Sequence, residues 1–231
     1  MKIKNWEAIL WDCLEVMKSI PDGSIDCIIT DPPYKCISWG KPDKSKWAPS
    51  WILQKNDGKI FQENDIDVKD YAGEFYRILK DWTHCYVMCN MLNLKDFMLE
   101  FEKAWFYIHN LLVWEKNNVT PNKWYMKNAE YVLFMKKWKA KFINNCWSKQ
   151  VHKFTNPTNK LHPTEKPVEL MEFYINNSSN EWDVILDPFA WSFTTAVACE
   201  NTNRKWICIE KDENYFKIGT ERVINNIKKW E

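Results

Sequence analysis

Short apolar runs alternate with segments of helical period along almost the whole chain. Strands are predicted for residues 6–11, 25–30, 83–89, 106–114, 129–135, 183–187 and 205–210, and helices for 13–20, 67–80, 93–103, 167–177, 192–201 and 213–229. Repeated strand–helix units of this kind predict an α/β fold with a doubly wound, mostly parallel sheet. The length of 231 residues suits one such domain over 1–231.

Charge is balanced in total but uneven along the chain. Residues 115–166 hold eleven lysines against three acidic residues, a net charge of +8, and residues 35–59 carry a net charge of +4. Two basic segments on a nearly neutral chain suit a face that binds a polyanion. Taken alone, however, the charge is better explained by a solvated, lysine-rich surface. The basic loops are predicted at 35–65 and 136–160.

Several classes of protein are excluded by what the sequence lacks. No apolar run approaches the length of a membrane span, and acidic residues interrupt the N-terminal stretch before a secretory signal could form. The eight cysteines show neither a C-x-x-C pair nor zinc spacing with histidine. They predict buried free thiols of a reducing cytoplasm and no metal site.

The first candidate site is the sequence Asp31-Pro32-Pro33-Tyr34, directly after the strand predicted at 25–30. Open α/β sheets bind their ligands at the carboxyl ends of strands. The Asp31 carboxylate and the Pro32 carbonyl can accept hydrogen bonds from an exocyclic amine, and Tyr34 offers a flat face for stacking a base. An ordinary turn that ends a strand explains these four residues equally well when they are taken alone.

The second candidate site follows the strand at 183–187. Asp187-Pro188 leads into a helix opened by serine and threonine, whose free N–H groups and dipole attract polar ligands. Glu210 ends the next strand, 23 residues after Asp187, where Rossmann-like folds place an acid that binds ribose hydroxyls. The pairing favours a nucleoside cofactor over a plain strand–helix–strand unit.

Taken together, these motifs resemble the β type of amino-group DNA methyltransferase, in which the motif order is permuted. Asp31–Tyr34 match its catalytic motif, Leu161–Val168 its H-P-T-x-K-P signature, and Asp187–Thr195 its D-P-F-x-G-S-G-T-T cofactor loop. The stretch 112–136 is similar to its W-x-K and N-x-E strand pair. The resemblance extends from residue 10 to about 220 and implies a Rossmann-like, circularly permuted sheet with one antiparallel strand.

The resemblance also implies a reaction and a set of residues for it. The reaction is methyl transfer from S-adenosylmethionine to an amine of double-stranded DNA. Asp before Pro-Pro-Tyr favours adenine-N6 over cytosine-N4. The implied catalytic residues are Asp31, Pro32, Pro33 and Tyr34. The implied cofactor-binding residues are Asp12, Cys13, His162, Thr164, Lys166, Asp187, Pro188, Phe189, Ser192, Thr194, Thr195 and Glu210, with Lys166 meeting the methionine carboxylate.

The basic loops supply the candidates for contacts with DNA. Lysines mostly touch phosphate, whereas asparagine and glutamine can read adenine edges. The DNA-binding candidates are Lys44, Lys46, Lys123, Lys139, Lys141, Lys149 and Lys153, with Lys55, Asn122, Asn144, Asn145 and Gln150 beside them. So small a recognition region is compatible with a short target site and with a homodimer.

Glycine and tryptophan depart from this resemblance together. The chain has 5 glycines and 15 tryptophans, whereas an average composition gives about 16 glycines at this length. The cofactor loop has Trp191 and Phe193 where the family has glycine. Glycine is also expected at Trp11, Trp82, Trp105, Trp138 and Trp182. Either the tryptophans are real and the cofactor loop is blocked, leaving an impaired fold that only binds DNA, or the gene uses UGA for glycine; the second explanation does not account for Phe193.

Overall fold

The computed structural model describes residues 2–3, 6–34, 66–120, 125, 127–158, 161 and 165–228. The loop predicted at 35–65 lies outside the described residues. The strands are β1 (Lys2–Ile3), β2 (Trp6–Leu10), β3 (Ile25–Thr30), β4 (Leu79–Cys89), β5 (Tyr107–Thr120), β6 (Lys127–Lys136), β7 (Val151–Lys153), β8 (Val184–Asp187) and β9 (Lys205–Glu210). The helices are α1 (Cys13–Ser19), α2 (Val68–Ile78), α3 (Leu94–Lys103), α4 (Val168–Ser178), α5 (Thr194–Asn201) and α6 (Glu213–Ile227).

The nine strands of the described chain form one sheet in the order β1-β2-β9-β8-β3-β4-β6-β5-β7. From β2 to β4 all neighbours are parallel, β6 is antiparallel to both β4 and β5, and β7 is parallel to β5. The prediction of a doubly wound, mostly parallel sheet with one antiparallel strand in its body is confirmed. The two-residue β1 adds a short antiparallel strand at one edge.

Helices cover both faces of the sheet, and alternation within the strands explains why. In β3, Cys27 and Ile29 join the hydrophobic core under α4, α5 and α6, whereas Ile28 joins the core under α1, α2 and α3. Ile25 lies on the same side as Ile28 because the register of β3 against β4 shifts between Ile25 and Cys27. Successive side chains of a strand point to opposite faces. A continuous apolar strand such as β3 is therefore buried from both sides, as central parallel strands are.

The carboxyl ends of β2, β9, β8, β3 and β4 lie at one edge of this sheet, which we call the carboxyl edge. Leu10 is level with Glu210, and Thr30 is level with Val87. The opposite edge, where these strands begin, is the amino edge. Both candidate sites follow strands that end at the carboxyl edge, so the topology brings them together.

Two local predictions differ from the structure. The region 136–165, expected to be irregular, contains β7. Only His152 of this strand is buried, and three residues are too few to show a period. Helix α2 ends at Ile78 and β4 starts at Leu79, four residues earlier than predicted, because the chain turns directly from helix into strand.

The cysteine prediction is confirmed for six thiols, which are buried and free, whereas Cys146 is free and exposed. Among the described residues, no helix combines the length and apolarity needed to cross a membrane, and no group of three or more metal-ligating side chains gathers.

Candidate active site

The corner Asp31–Tyr34 leaves the carboxyl edge directly after β3. Pro32 is buried, while Tyr34 is half-buried and meets the ring of Phe97 edge-on at a centroid distance of 6.4 Å. The prolines lack N–H groups, so this corner offers carbonyl and carboxylate oxygens and few donors. It can therefore accept hydrogen bonds from an amine.

Asp31 is held by a row of alternating charges. Lys166 Nζ donates to Asp31 Oδ2 and lies 3.4 Å from Glu130 Oε2, and Lys116 Nζ donates to Glu130 Oε1 at 3.0 Å. Burial would lower the pKa of Lys166, but the two carboxylates raise it above its ordinary value. Burial raises the pKa of Asp31, and the Lys166 ammonium opposes that rise. Lys166 is thus a charged group that fixes the orientation of Asp31.

The other carboxylate oxygen of Asp31 is buried and has no hydrogen-bond partner within the described part of the chain. A buried acceptor without a donor costs free energy, so such atoms in native proteins call for an explanation. A ligand N–H would supply the missing donor.

Asp187 ties the two candidate sites together. Its Oδ1 accepts from Thr30 Oγ1 at 2.7 Å, and its Oδ2 accepts from Thr195 Oγ1 at 2.6 Å. Burial raises the pKa of Asp187 to about 6, and these hydroxyl donors oppose the rise. The carboxylate therefore joins the ends of β8 and β3 to the first turn of α5.

Glu210 ends β9 beside the loop that follows β8. It accepts N–H bonds from Trp191 at 2.8 Å and from Asp212 at 2.9 Å, and burial raises its pKa to about 7. On the neighbouring strand, Asp12 caps α1 by accepting from two backbone N–H groups. Burial raises the pKa of the next residue, Cys13, to about 12, so this thiol stays protonated.

Trp191 lies across the space between the two sites. Its indole Nε1 donates to the Asp31 carbonyl at 2.9 Å, and its ring meets Tyr215 edge-on at 5.9 Å. The cavity bounded by Asp31, Lys166 and the 187–195 loop measures about 20 Å³. That volume holds about one water molecule. The acidic residues suit a nucleoside cofactor, whereas the Trp191 indole fills the space between the 187–195 loop and Asp31.

One residue that the sequence did not predict for the site is an arginine that holds the cofactor loop by hydrogen bonds. Arg222 of α6 donates to the Ser192 carbonyl and to Thr194 Oγ1, both at 3.0 Å, and pairs with Glu165 at 2.7 Å. Nothing in the local pattern of α6 marks Arg222. Glu130 and Lys116 were also missed as site residues, although the W-x-K and N-x-E motifs contain them.

The remaining predicted cofactor residues that the structure describes belong to the same loop. Phe189 packs against Tyr71, and Ser192 is buried. Pro188 lies between Asp187 and Phe189 in this turn. His162 and Thr164 lie outside the described residues, as do Lys44, Lys46 and Lys123.

The structure separates the DNA-binding candidates into two groups. Lys153 is level with Glu115 of β5 and lies on the carboxyl-edge side, whereas Lys149 follows Ser148, which bonds Asn177 near the end of α4. Lys139 and Lys141 follow the end of β6 at the amino edge, where the Lys141 N–H donates to the Trp82 carbonyl. The end of β6 is level with His84, which is separated from the end of β4 at Cys89 by about 17 Å. Lys139 and Lys141 are therefore not brought to Asp31.

The fold and the site together define a Rossmann-like enzyme class in which an acid-and-proline corner accepts an amine next to a nucleoside cofactor loop. The profile of the N6/N4 DNA methylase family matches residues 25–221, and the chain belongs to this family. It is an amino-group DNA methyltransferase, and its cofactor is S-adenosylmethionine.

Relatives among characterised proteins are distant in sequence but similar over most of their length. The type II methyltransferase M2.MboI of Moraxella bovis is 26% identical, over 95% of this chain and 88% of that protein. The type II methyltransferase M.HinfI of Haemophilus influenzae is 29% identical, over 92% of this chain and 66% of that protein.

Solved structures share the fold. The M1.HpyAVI–SAM complex superposes with a TM-score of 0.71 at 24% identity, covering 94% of this chain and 98% of that one. The cytosine-N4-specific PvuII DNA methyltransferase superposes with a TM-score of 0.73 at 18% identity, covering 98% and 93%.

Proposed function

We propose that the protein is a site-specific DNA methyltransferase that modifies the N6 amine of adenine, in the manner of a restriction–modification system in the bacterial cytoplasm. The observation that carries methyl transfer to an amine is the buried Oδ1 of Asp31, which has no partner among the described residues, and the aspartate before Pro-Pro-Tyr favours adenine over cytosine. An adenine flipped out of the duplex would donate one N6 proton to this oxygen and the other to the Pro32 carbonyl. Tyr34 would stack on the base.

The roles of these residues follow from what methyl transfer to an amine requires. Hydrogen bonds from both amine protons hold the nitrogen so that its lone pair faces the methyl donor, and the carboxylate stabilises the positive charge that develops on N6. The new N–C bond would form as the bond between the methyl group and the cofactor sulfur breaks, which leaves S-adenosylhomocysteine, and the nitrogen would then lose one proton to solvent. Lys166 keeps Asp31 in one orientation. No Pro-Cys dipeptide occurs in the chain. The cysteine-nucleophile mechanism of cytosine-C5 methylation therefore has no candidate residue.

Cytosine-N4 methylation is the second candidate, because the same corner would accept a cytosine amine and a cytosine-N4-specific enzyme is among the structural neighbours. A protein that binds DNA without methylating it is the third candidate, and Trp191 supports it.

The test of the three candidates is to express the gene with glycine at 191 in a bacterium without DNA methyltransferases and to analyse the nucleosides of its DNA. N6-methyladenine supports the proposal, N4-methylcytosine supports the second candidate, and neither supports the third.

The two groups of lysines give a prediction about DNA binding. Changing Lys153 to Gln is expected to flatten the log–log salt dependence of duplex affinity by about 0.9 per lost phosphate contact. The same change at Lys139 and Lys141, at the amino edge, is the matched control and is expected to leave the slope unchanged. Fluorescence anisotropy at several salt concentrations measures both slopes. A flatter slope only in the control would mean that DNA approaches the amino edge.

The pKa of Glu210 gives a prediction about pH. Ribose hydroxyls donate more strongly to an ionised carboxylate, and Glu210 with a pKa of about 7 is mostly protonated at pH 6. In a chain with glycine at 191, S-adenosylmethionine affinity is expected to rise about tenfold from pH 6 to 8. Calorimetric titration measures the affinity. Glu210→Gln should bind with a flat pH profile, and an equally steep profile in that variant would exclude Glu210 as its source.

A further inference from the structure

Five of the tryptophans that the structure describes have a left-handed backbone. The φ angles are +72° at Trp82, +71° at Trp105, +55° at Trp138, +71° at Trp182 and +49° at Trp191. Glycine enters this region freely, whereas a bulky residue there is an outlier. Among the other described non-glycine residues, only Phe193 and Asn203 have positive φ, and asparagine tolerates that conformation.

The local structure around Trp105 is one that glycine normally completes. Helix α3 ends with an N–H bond from Phe106 to the Phe101 carbonyl and one from Trp105 to the Glu102 carbonyl. These two bonds are those of a Schellman motif, whose left-handed residue is usually glycine. Trp105 occupies that position.

Trp182 occupies another glycine position. The Asp183 N–H donates to the Asn180 carbonyl at 3.2 Å and closes a four-residue turn, in which Trp182 is third. A third residue with φ near +80° is the feature of a type II turn that selects glycine. Two unrelated kinds of turn thus place tryptophan where each requires glycine.

The side chains at the four positions outside the cofactor loop do not pack as tryptophans normally do. Trp82, Trp105, Trp138 and Trp182 are between 51% and 80% exposed. By contrast, Trp114 and Trp206 are 2% and 1% exposed, and each indole N–H has a hydrogen-bond acceptor. Trp114 and Trp206 therefore build the core, whereas the other four tryptophans are exposed and have a backbone that suits glycine.

Trp191 joins these four tryptophans through its effect on the site. Its indole fills the space between the cofactor loop and Asp31, in a family that must bring its cofactor to that place. A glycine at 191 keeps the backbone conformation, and the N–H bond to Glu210 needs no side chain. It removes the indole, together with its bond to the Asp31 carbonyl and its contact with Tyr215.

Phe193 shows what a genuine replacement of glycine looks like in this fold. It has φ +58°, but its ring is fully buried, and Gly219 of α6 faces it. A Cβ on residue 219 would come within 2.1 Å of Phe193 Cδ2. The fold has a complementary glycine for this ring, and none of the four exposed tryptophans is matched in that way.

We infer that the cell translates the UGA codons of this gene as glycine. The working protein then carries glycine at 82, 105, 138, 182 and 191. Phenylalanine codons are not involved, so Phe193 stays. The sequence also predicts glycine at Trp11, but φ is not positive there, so the backbone at that position does not indicate glycine. The inference rests on the backbone at the five positions and does not depend on which base is methylated.

Peptide mass spectrometry of the protein purified from its own cells tests this inference directly. Peptides that span 82, 105, 138, 182 and 191 are expected to have the mass for glycine. Peptides that span 114 and 206 are expected to retain tryptophan and serve as internal controls. Tryptophan at 191 and at the other four positions would overturn the inference.

A stability measurement tests the same inference by a different readout. A chain with Trp82, Trp105, Trp138 and Trp182 changed to Gly is expected to melt higher by about 2–4 °C for each position. Trp147→Gly is the matched control, because Trp147 is exposed but does not have positive φ. That control should melt at the same temperature or lower, since glycine there adds only unfolded-state freedom. A lower melting temperature for the fourfold variant would contradict the inference.

Discussion

Replacing Trp191 with glycine is expected to increase the affinity for S-adenosylmethionine about 100-fold, equivalent to ~2.7 kcal/mol. The indole fills the place that the reactive end of the cofactor needs, and it is anchored by its N–H bond to the Asp31 carbonyl and by its contact with Tyr215. In the chain as printed, the ligand has to displace this side chain before it can bind. The glycine chain has no such competitor.

Isothermal titration calorimetry of both chains at one temperature and salt concentration measures this difference. Trp182→Gly is the matched control, because it removes an indole with the same backbone conformation from a turn outside the cofactor loop. It should change the melting temperature and leave the cofactor affinity of the chain as printed unchanged. Equal and tight binding by the printed chain and the Trp191→Gly chain would show that the loop accommodates the indole.

The second large effect concerns Asp31. In the Trp191→Gly chain, Asp31→Ala is expected to lower the rate of methyl transfer by about 10²–10³-fold. The carboxylate supplies the acceptor for the amine and the negative charge beside the nitrogen, and alanine supplies neither. Tyr34→Ala removes the stacking surface and is expected to cost about 1–3 kcal/mol of base binding.

Cofactor affinity separates a catalytic loss from a folding defect in these variants. Lys166 retains Glu130 as a partner when Asp31 is removed, so the buried ammonium is not left unpaired. Asp31→Ala should therefore keep its melting temperature and its calorimetric affinity for S-adenosylmethionine within a few-fold. Methyl transfer at the unsubstituted rate in both Asp31→Ala and Tyr34→Ala would exclude this corner as the active site.

Much of the fold could be predicted because its strands carry strong local signals. The run at 25–30 and the run at 205–210 are short, apolar and bounded by turn residues, and both appear as strands with the predicted bounds. The three-residue β7 could not be predicted, because its pairing with β5 is decided by tertiary contact. Local pattern determines a strand only where the strand is long enough to show a period.

The candidate site was predictable in its motifs but not in its contacts. Asp31 and Lys166 are 135 residues apart in sequence, so no local pattern predicts that they pair. The sequence also gives the charge of residues 136–160 but not the edge of the sheet at which each lysine lies. The positions that suit glycine could be predicted, because the absence of an expected glycine is visible in the local sequence. Five of the six tryptophans at positions where the sequence predicts glycine have positive φ.

The most direct test of the central claim is methyl transfer by the Trp191→Gly chain to an unmethylated duplex. The chain is incubated with S-adenosylmethionine labelled with tritium in its methyl group, and the DNA is then digested to nucleosides and separated. The expected result is label in N6-methyladenine, which disappears when Asp31 is also changed to Ala. Label confined to N4-methylcytosine would contradict the choice of base, and no label in DNA, despite tight cofactor binding, would contradict the assignment of DNA methyl transfer to this site.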